Sequence, residues 1–224
     1  MADYEEMTAS KKLAAFIEKN KKAFIAVLVI LVCCLIGYIV FASVAESGKE
    51  KGLQALDEIT FEMTDKSSDL EEAEIAARLS TAFEKASAYT NKGGIVGARA
   101  NMLCAEITYQ QKKFAESADF WKATAEKGKK TYLAPLAYFN VAACYEETGK
   151  TDEALANYKL AADDNSFVMR THAKFNYGRL QEAKGDYATA AGAYTELFDN
   201  FSGDSWADLA KSRLIALKKD GKIE

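Results

Sequence analysis

The sequence is nearly without proline: Pro135 is the only one in 224 residues. Together with abundant Ala, Lys and Glu, that favours long helices and leaves little room for a β-sandwich or barrel. Histidine is as scarce, with His172 alone, so a His-based metal site or a His-containing nucleophile triad has almost nothing to use. No HExxH, GxSxG or Walker loop occurs. Acidic pairs such as Asp163-Asp164 and Glu146-Glu147 read as solvated faces or caps, and His172 as an exposed or partly buried polar residue. No catalytic residue, metal site or cofactor is expected. The four cysteines make no disulfide framework. Cys33 and Cys34 are adjacent in an apolar run, and Cys104 and Cys144 lie far apart on apolar helix faces. Buried free thiols are the expectation for the latter two, and their pairing is not readable from spacing. An excess of positive charge is also missing. Beyond Ala45 there are 24 Lys and Arg against 29 Asp and Glu, which argues against nucleic acid as a partner.

What is present begins with Ala23 to Ala45, 23 residues without a charge, 14 of them Leu, Ile, Val or Phe. As a helix it is about 35 Å long, enough to cross a hydrocarbon core of about 30 Å. Its apolar core is longer than a cleaved signal peptide needs, although Ser43-Val44-Ala45 has the small residues of a cleavage site. A lipoprotein site would need a small residue before the cysteine, and Val32 precedes Cys33. An uncleaved transmembrane helix is therefore expected. Residues 1–22 start acidic (Asp3, Glu5, Glu6) and turn basic beside the span (Lys11, Lys12, Lys19, Lys21, Lys22), whereas Lys49 and Lys51 beyond it are offset by Glu46 and Glu50. The positive-inside rule keeps the N-terminus cytoplasmic and sends residues 46–224 across. In a bacterium with an outer membrane, that destination is the periplasm.

From Ser43 the helical pattern continues to about Met63, with Leu53, Leu56, Ile59 and Phe61 suited to packing. Thr64 to Ser68 reads as a turn. Ser68 with Glu71 makes a capping-box pattern that opens a second helix to about Tyr89. Its expected packing positions are Ala73, Ala76, Ala77, Phe83, Ala86 and Tyr89. Residues 46–92 thus form a membrane-proximal helical pair. The run Gly93-Gly94-Ile95-Val96-Gly97 follows a helix rather than a strand, so it reads as an interhelical turn and not a phosphate loop.

Past Gly97 the sequence repeats. Superposing Lys112, Gly149 and Gly185 gives steps of 37 and 36 residues. Five residues after each come Ser117, Ala154 and Ala190, all small, and nine after come Trp121, Tyr158 and Tyr194, all aromatic. Small residues let antiparallel helices approach, and the aromatics fill the space between one pair and the next. The expected fold is all-α: the N-terminal transmembrane helix, then an α-solenoid of antiparallel helix pairs over residues 93–201, then a capping helix and tail over 202–224. The cap places Trp206, Leu209, Ala210, Leu214 and Leu217 on one side and Asp208, Lys211, Arg213 and Lys218 on the other. The tail from Lys218 is expected to fray.

This spacing resembles the tetratricopeptide repeat (TPR) family. Tyr138, Asn140, Val141, Ala142, Tyr145, Gly149, Ala154, Tyr158 and Ala161 carry the resemblance in the middle copy. Asn176, Gly178, Gly185, Tyr187, Ala190 and Tyr194 carry it in the third. The first copy has Leu103 and Lys112 where the family has Asn and Gly. The resemblance implies a concave groove lined by first helices, with Met102, Tyr109, Phe139, Asn140, Phe175, Asn176 and Arg179 as partner-binding positions beside Arg99, Leu103, Glu106, Leu136, Ala143, Glu146, His172 and Glu182. Asn140 and Asn176 either hold a bound peptide's backbone or bond within the array.

The order of short N-terminus, membrane helix and repeats also resembles the YfgM-type ancillary subunits of the Sec translocon, as does the run Phe16-Ile17-Glu18-Lys19-Asn20-Lys21-Lys22. That resemblance implies a non-enzymatic inner-membrane scaffold whose partners are translocon subunits and periplasmic chaperones. Repeat arrays also serve as adaptors in division, outer-membrane assembly and flagellar motors, and as homo-oligomeric scaffolds. The orientation is open to a direct test. Protease added to spheroplasts is expected to remove the repeats and leave a short membrane fragment, and full protection would reverse the assignment.

Overall fold

The computed structural model describes residues 9–224, and every regular element among them is helical. The acidic start at Asp3, Glu5 and Glu6 lies outside the described residues. The chain divides into two compact units, Met1–Lys51 and Gly52–Glu224. The first unit contains α1 (Ala9–Lys19) and the beginning of α2 (Lys21–Thr64). Asn20 separates the two helices and donates its side-chain amide to the Phe16 carbonyl at 2.8 Å. The large apolar side chains between Phe24 and Val44 are exposed throughout.

The second unit holds the end of α2 and then α3 (Glu72–Ser87), α4 (Gly94–Gln110), α5 (Phe114–Lys127), α6 (Leu133–Glu147), α7 (Thr151–Asp163), α8 (Arg170–Ala183), α9 (Tyr187–Asn200) and α10 (Ser205–Lys219). From α4 onward each helix packs on its successor. The three superposed turn residues have one backbone conformation, with φ of 61° at Lys112, 71° at Gly149 and 83° at Gly185. Each ends its helix with the same pair of bonds. The longer-range one runs from the N–H of Lys113 to Thr108 (2.9 Å), of Lys150 to Tyr145 (2.8 Å) and of Asp186 to Gln181 (2.9 Å). This is the Schellman motif, which closes carbonyls that a helix end leaves open.

The small residues five positions on do the work expected of them. Ser117, Ala154 and Ala190 are fully buried. The Ser117 hydroxyl donates to the Ala105 carbonyl of α4 at 2.7 Å and receives the Cys144 thiol of α6 at 3.4 Å, tying three helices at one point. Trp121, Tyr158 and Tyr194 are buried too. The Tyr194 ring leaves no space at Gly178, where an added Cβ would stand 2.7 Å from the ring. Both predicted buried thiols are free, and they sit in different clusters. Burial pushes the Cys104 thiol up to about 12, which keeps it protonated and unreactive.

Ahead of the repeats, Leu56 and Ile59 of α2 and Leu79, Ala82 and Ala86 of α3 share a core with Val96, Ala100, Leu103 and Ile107 of α4. A Cβ at Gly97 would lie 1.8 Å from the Lys92 carbonyl oxygen, so this glycine serves the tight passage between α3 and α4.

Several details depart from the sequence reading: Phe61 of α2 is exposed rather than packed, and Gly94-Ile95-Val96-Gly97 opens α4 instead of forming a turn. Helix α3 begins at Glu72 after extended backbone at Leu70 and Glu71, not at Ser68, because a short 3-10 turn occupies Ser67–Asp69. Its expected packing face holds in the C-terminal half, where Phe83, Ala86 and Tyr89 pack, but in the N-terminal half Ala73, Ala76 and Ala77 are exposed and Leu79 and Ala82 face the core instead. Leu209 of α10 is exposed rather than packed. The tail does not fray. Gly221 lies 36 residues after Gly185, has φ of 64°, and lets Lys222 donate to Leu217 at 2.9 Å. Ile223 then packs against the terminal core and the Lys222 ammonium lies 5.0 Å over the Tyr187 ring. Helix α10 thus has the stop signal and spacing of another first helix.

A left-handed φ costs a residue with a Cβ roughly 1–2 kcal/mol. Lys112→Gly is therefore expected to stabilise the protein by about 1 kcal/mol, and Gly185→Ala to destabilise it by about as much. Urea denaturation followed by circular dichroism measures both.

Candidate functional site

At both ends of the array the helices that begin the repeats approach one another, and in the middle α6 meets α8 through the Phe139 and His172 rings. Helix α4 approaches α6 and α8 approaches α10, with no comparable approach of α5 to α7 or α7 to α9. A stack closer on one side curves towards that side, so α4, α6, α8 and α10 line the inner surface.

The centre of that surface is a row of rings. Phe139 of α6 lies edge-on to Tyr158 at 5.4 Å and 4.9 Å from the His172 ring of α8. His172 stacks flat on Trp206 of α10, with centroids 3.8 Å apart and planes 7° from parallel. Phe175 joins Trp206 at 5.3 Å and Tyr194 at 5.7 Å. Phe139, His172, Phe175 and Trp206 are all half-buried, so the row is part core and part accessible surface. Burial, then the Arg179 charge, holds the imidazole below its ordinary value, so His172 is neutral at pH 7.

Sequence reasoning placed Trp206 in the cap and not in the groove. The signal was there in Gly221, which marks α10 as another first helix. A hollow of about 450 Å³ opens beside this row, lined by Phe175, Arg179, Glu182, Ala183, Tyr187, Tyr194 and Arg213.

The two asparagines bond within the array. Asn140 donates to the Leu136 carbonyl at 2.9 Å. Asn176 is buried, and its side-chain oxygen accepts from Arg179 Nε at 3.3 Å. Met102 and Tyr109 are half-buried on α4 against the Ala105–Trp121 core, and Leu103 is fully core. Thus Phe139, His172 and Phe175 come together with Trp206, whereas Met102 and Tyr109 occupy the first repeat.

Arg179 belongs to a device that repeats. Glu146 accepts the Tyr158 hydroxyl at 2.6 Å and both Arg179 bonds at 2.7 and 2.8 Å. One step on, Glu182 accepts the Tyr194 hydroxyl at 2.9 Å and pairs with Arg213 of α10. Each tie joins the two helices of one pair to the first helix of the next. Burial and then the carboxylate push both phenols above their ordinary value. The Arg213 bond holds the Glu182 carboxyl below its ordinary value. Sequence reading took Glu146 for a solvated acid. The 36-residue repetition of Glu and Tyr was visible, but the arginines follow at unequal intervals.

The first interface has no such tie, because Tyr109 and Trp121 replace the Glu and Tyr. Here α4 instead carries Glu106, half-buried between Met102 and Tyr109 on one helix stripe. Burial raises its carboxyl above the ordinary range, and the Arg99 charge offsets part of that. Arg99 is itself paired with Asp57 at 2.6 Å. An inner surface of rings and half-buried amphipathic side chains can hold an extended or helical segment by apolar contact.

The two carboxylates predict opposite pH responses. The lowered value at Glu182 means stability present above about pH 4.3 and lost as pH falls through the folded value. Arg213→Met should therefore be less stable than the parent at pH 7, with the gap closing in acid. The raised value at Glu106 means stability that is full below about pH 4.3 and lost as pH rises. Glu106→Gln should be the more stable protein at pH 7, and that gap too should close in acid. Urea unfolding between pH 3 and 7 tests both signs.

Comparison with known proteins agrees with this architecture. The family model described as a tetratricopeptide repeat-like domain matches residues 14–217. A TPR repeat-containing protein of Treponema pallidum (strain Nichols) is 34% identical over 130 residues, 58% of this chain and 54% of that protein. The chain therefore spans about half the length of the curated relative it matches. No solved structure matches. With its repeats stacked as helix pairs and residues 14–217 matched, the chain belongs to the tetratricopeptide repeat-like domain family.

Proposed function

We propose that the protein is a non-enzymatic scaffold, held in the bacterial inner membrane by Ala23–Ala45, that binds protein partners along the inner surface of its repeats. The row from Phe139 through His172 and Trp206 to Phe175 carries this reading. Rings left half-exposed in a row are the kind of surface that marks a protein interface. Repeat domains of this family generally bind proteins or peptides, which supports the same use.

The anchor is supported by two observations. Among the described residues one helix, Lys21–Thr64, is long and apolar enough to cross a membrane. The family match begins at residue 14 and so takes in the apolar stretch as well as the repeats. The lysines that precede it support a cytoplasmic N-terminus and periplasmic repeats. Within that setting we read the protein as an ancillary subunit of the Sec translocon that links it to periplasmic chaperones, on the resemblance of its order of short N-terminus, membrane helix and repeats. A groove tethered at the membrane meets its partners at high effective concentration if they are tethered there too.

In-cell photocrosslinking tests this reading. A probe at Phe139 or Phe175 is expected to trap translocon subunits, chaperones or varied secretory chains. Recovery only of division or flagellar components would sink the translocon role, and adducts of the chain with itself alone would replace it with a homo-oligomeric scaffold.

A further inference from the structure

The repeats differ in how they dispose of charge on the inner surface, and that difference points to the partner's chemistry. Six residues before each superposed turn stand Glu106, Ala143 and Arg179. Arg179 is answered by Glu146, Arg213 by Glu182 and Arg99 by Asp57. Glu106 forms no such pair; Arg99, which is bonded to Asp57, offsets its charge only in part. Among the described residues no hydrogen bond or ion pair closes its carboxylate, and its oxygens keep access to solvent. Met102 lies one turn before it and Tyr109 one turn after, both half-buried, so the carboxylate is framed by apolar surface. Glu147 and Glu146 add negative charge around the Tyr109 hydroxyl.

A carboxylate in this setting is partly desolvated, which strengthens its attraction to an arriving cation and its repulsion of an anion. A cation also relieves the cost that burial imposes on Glu106. Arg99, Glu146, Arg179, Glu182 and Arg213 are already paired, and the unpaired Glu147 lies beside Tyr109 and adds to the same negative field, so this is where a ligand's charge is read. We propose that Glu106 is the specificity point of the groove and takes the lysine or arginine side chain of an extended segment from a partner protein, with an apolar neighbour of that residue seated on Met102 and Tyr109. This rests on the groove-binding function proposed above and adds the partner's charge. Segments whose cationic residue alternates with apolar ones fit; acidic segments are repelled.

The test uses the full chain in nanodiscs of zwitterionic phosphatidylcholine, so that lipid charge attracts neither probe. The probes are two short fluorescein-labelled peptides, one repeating Leu-Ser-Lys and the other Leu-Ser-Glu, followed by fluorescence anisotropy. The lysine peptide is expected to bind about tenfold more tightly than the glutamate peptide. Glu106→Gln should erase that difference, Glu106→Asp should retain part of it, and Glu153→Gln on α7 should leave it unchanged. Met102→Ala should weaken both peptides. Unfolding curves of the variants establish that each is folded, and Glu106→Gln removes a charge that the fold disfavours.

Equal binding of the two peptides to the wild type, or a lysine preference that survives Glu106→Gln, overturns the assignment of Glu106. If Met102→Ala still weakens both peptides, the groove reading stands without it. If neither peptide responds to Met102→Ala, the groove reading falls as well.

Discussion

The structure depends on one recurring constraint, a left-handed residue that stops each first helix at a fixed interval. Lys112, Gly149, Gly185 and Gly221 all have positive φ, and the helices before them end at Gln110, Glu147, Ala183 and Lys219, two residues short in every case. Because the stop recurs every 36 or 37 residues, the next helix starts in the same register against its predecessor. The small residue then always meets the same point on the first helix, and the aromatic residue always falls between pairs. A single residue's backbone conformation thereby governs packing many ångströms away.

On that frame the repeats are joined in two different ways. The second and third are tied forward through a carboxylate that holds a tyrosine of its own pair and an arginine of the next. The first is joined through the Ser117 hydroxyl and packed side chains. A tie of the first kind neutralises charge on the inner surface as it forms, so the later repeats present rings with little net charge. The first repeat keeps an open carboxylate. The mode of assembly and the character of the groove are two consequences of the same substitutions.

Helix α10 serves two surfaces at once. Helix α10 covers the core of the third repeat with Ala210 and Leu217, closes Glu182 with Arg213, and sends Ile223 back onto the same core. It also contributes Trp206 to the row of rings. Covering that core and extending the inner surface are achieved by one element.

The sequence by itself determined the helical class, the apolar stretch and the phase of the repeats, because these follow from local properties. Proline scarcity, an uncharged run and small or aromatic residues at fixed spacing act within one helix or between adjacent ones. The start of helix α3 and the first half of its packing face differ from the sequence reading because Ser67–Asp69 takes a 3-10 turn that the capping pattern does not reveal. The use of the polar groove residues was decided only in three dimensions. Glu146 and Arg179 are 33 residues apart, a little less than one repeat, and only stacking brings them to bonding distance. The same holds for His172 and Trp206. Whether a side chain is spent inside the array or left for a partner depends on what the neighbouring repeat presents to it, and that is a property of the stack rather than of any one segment.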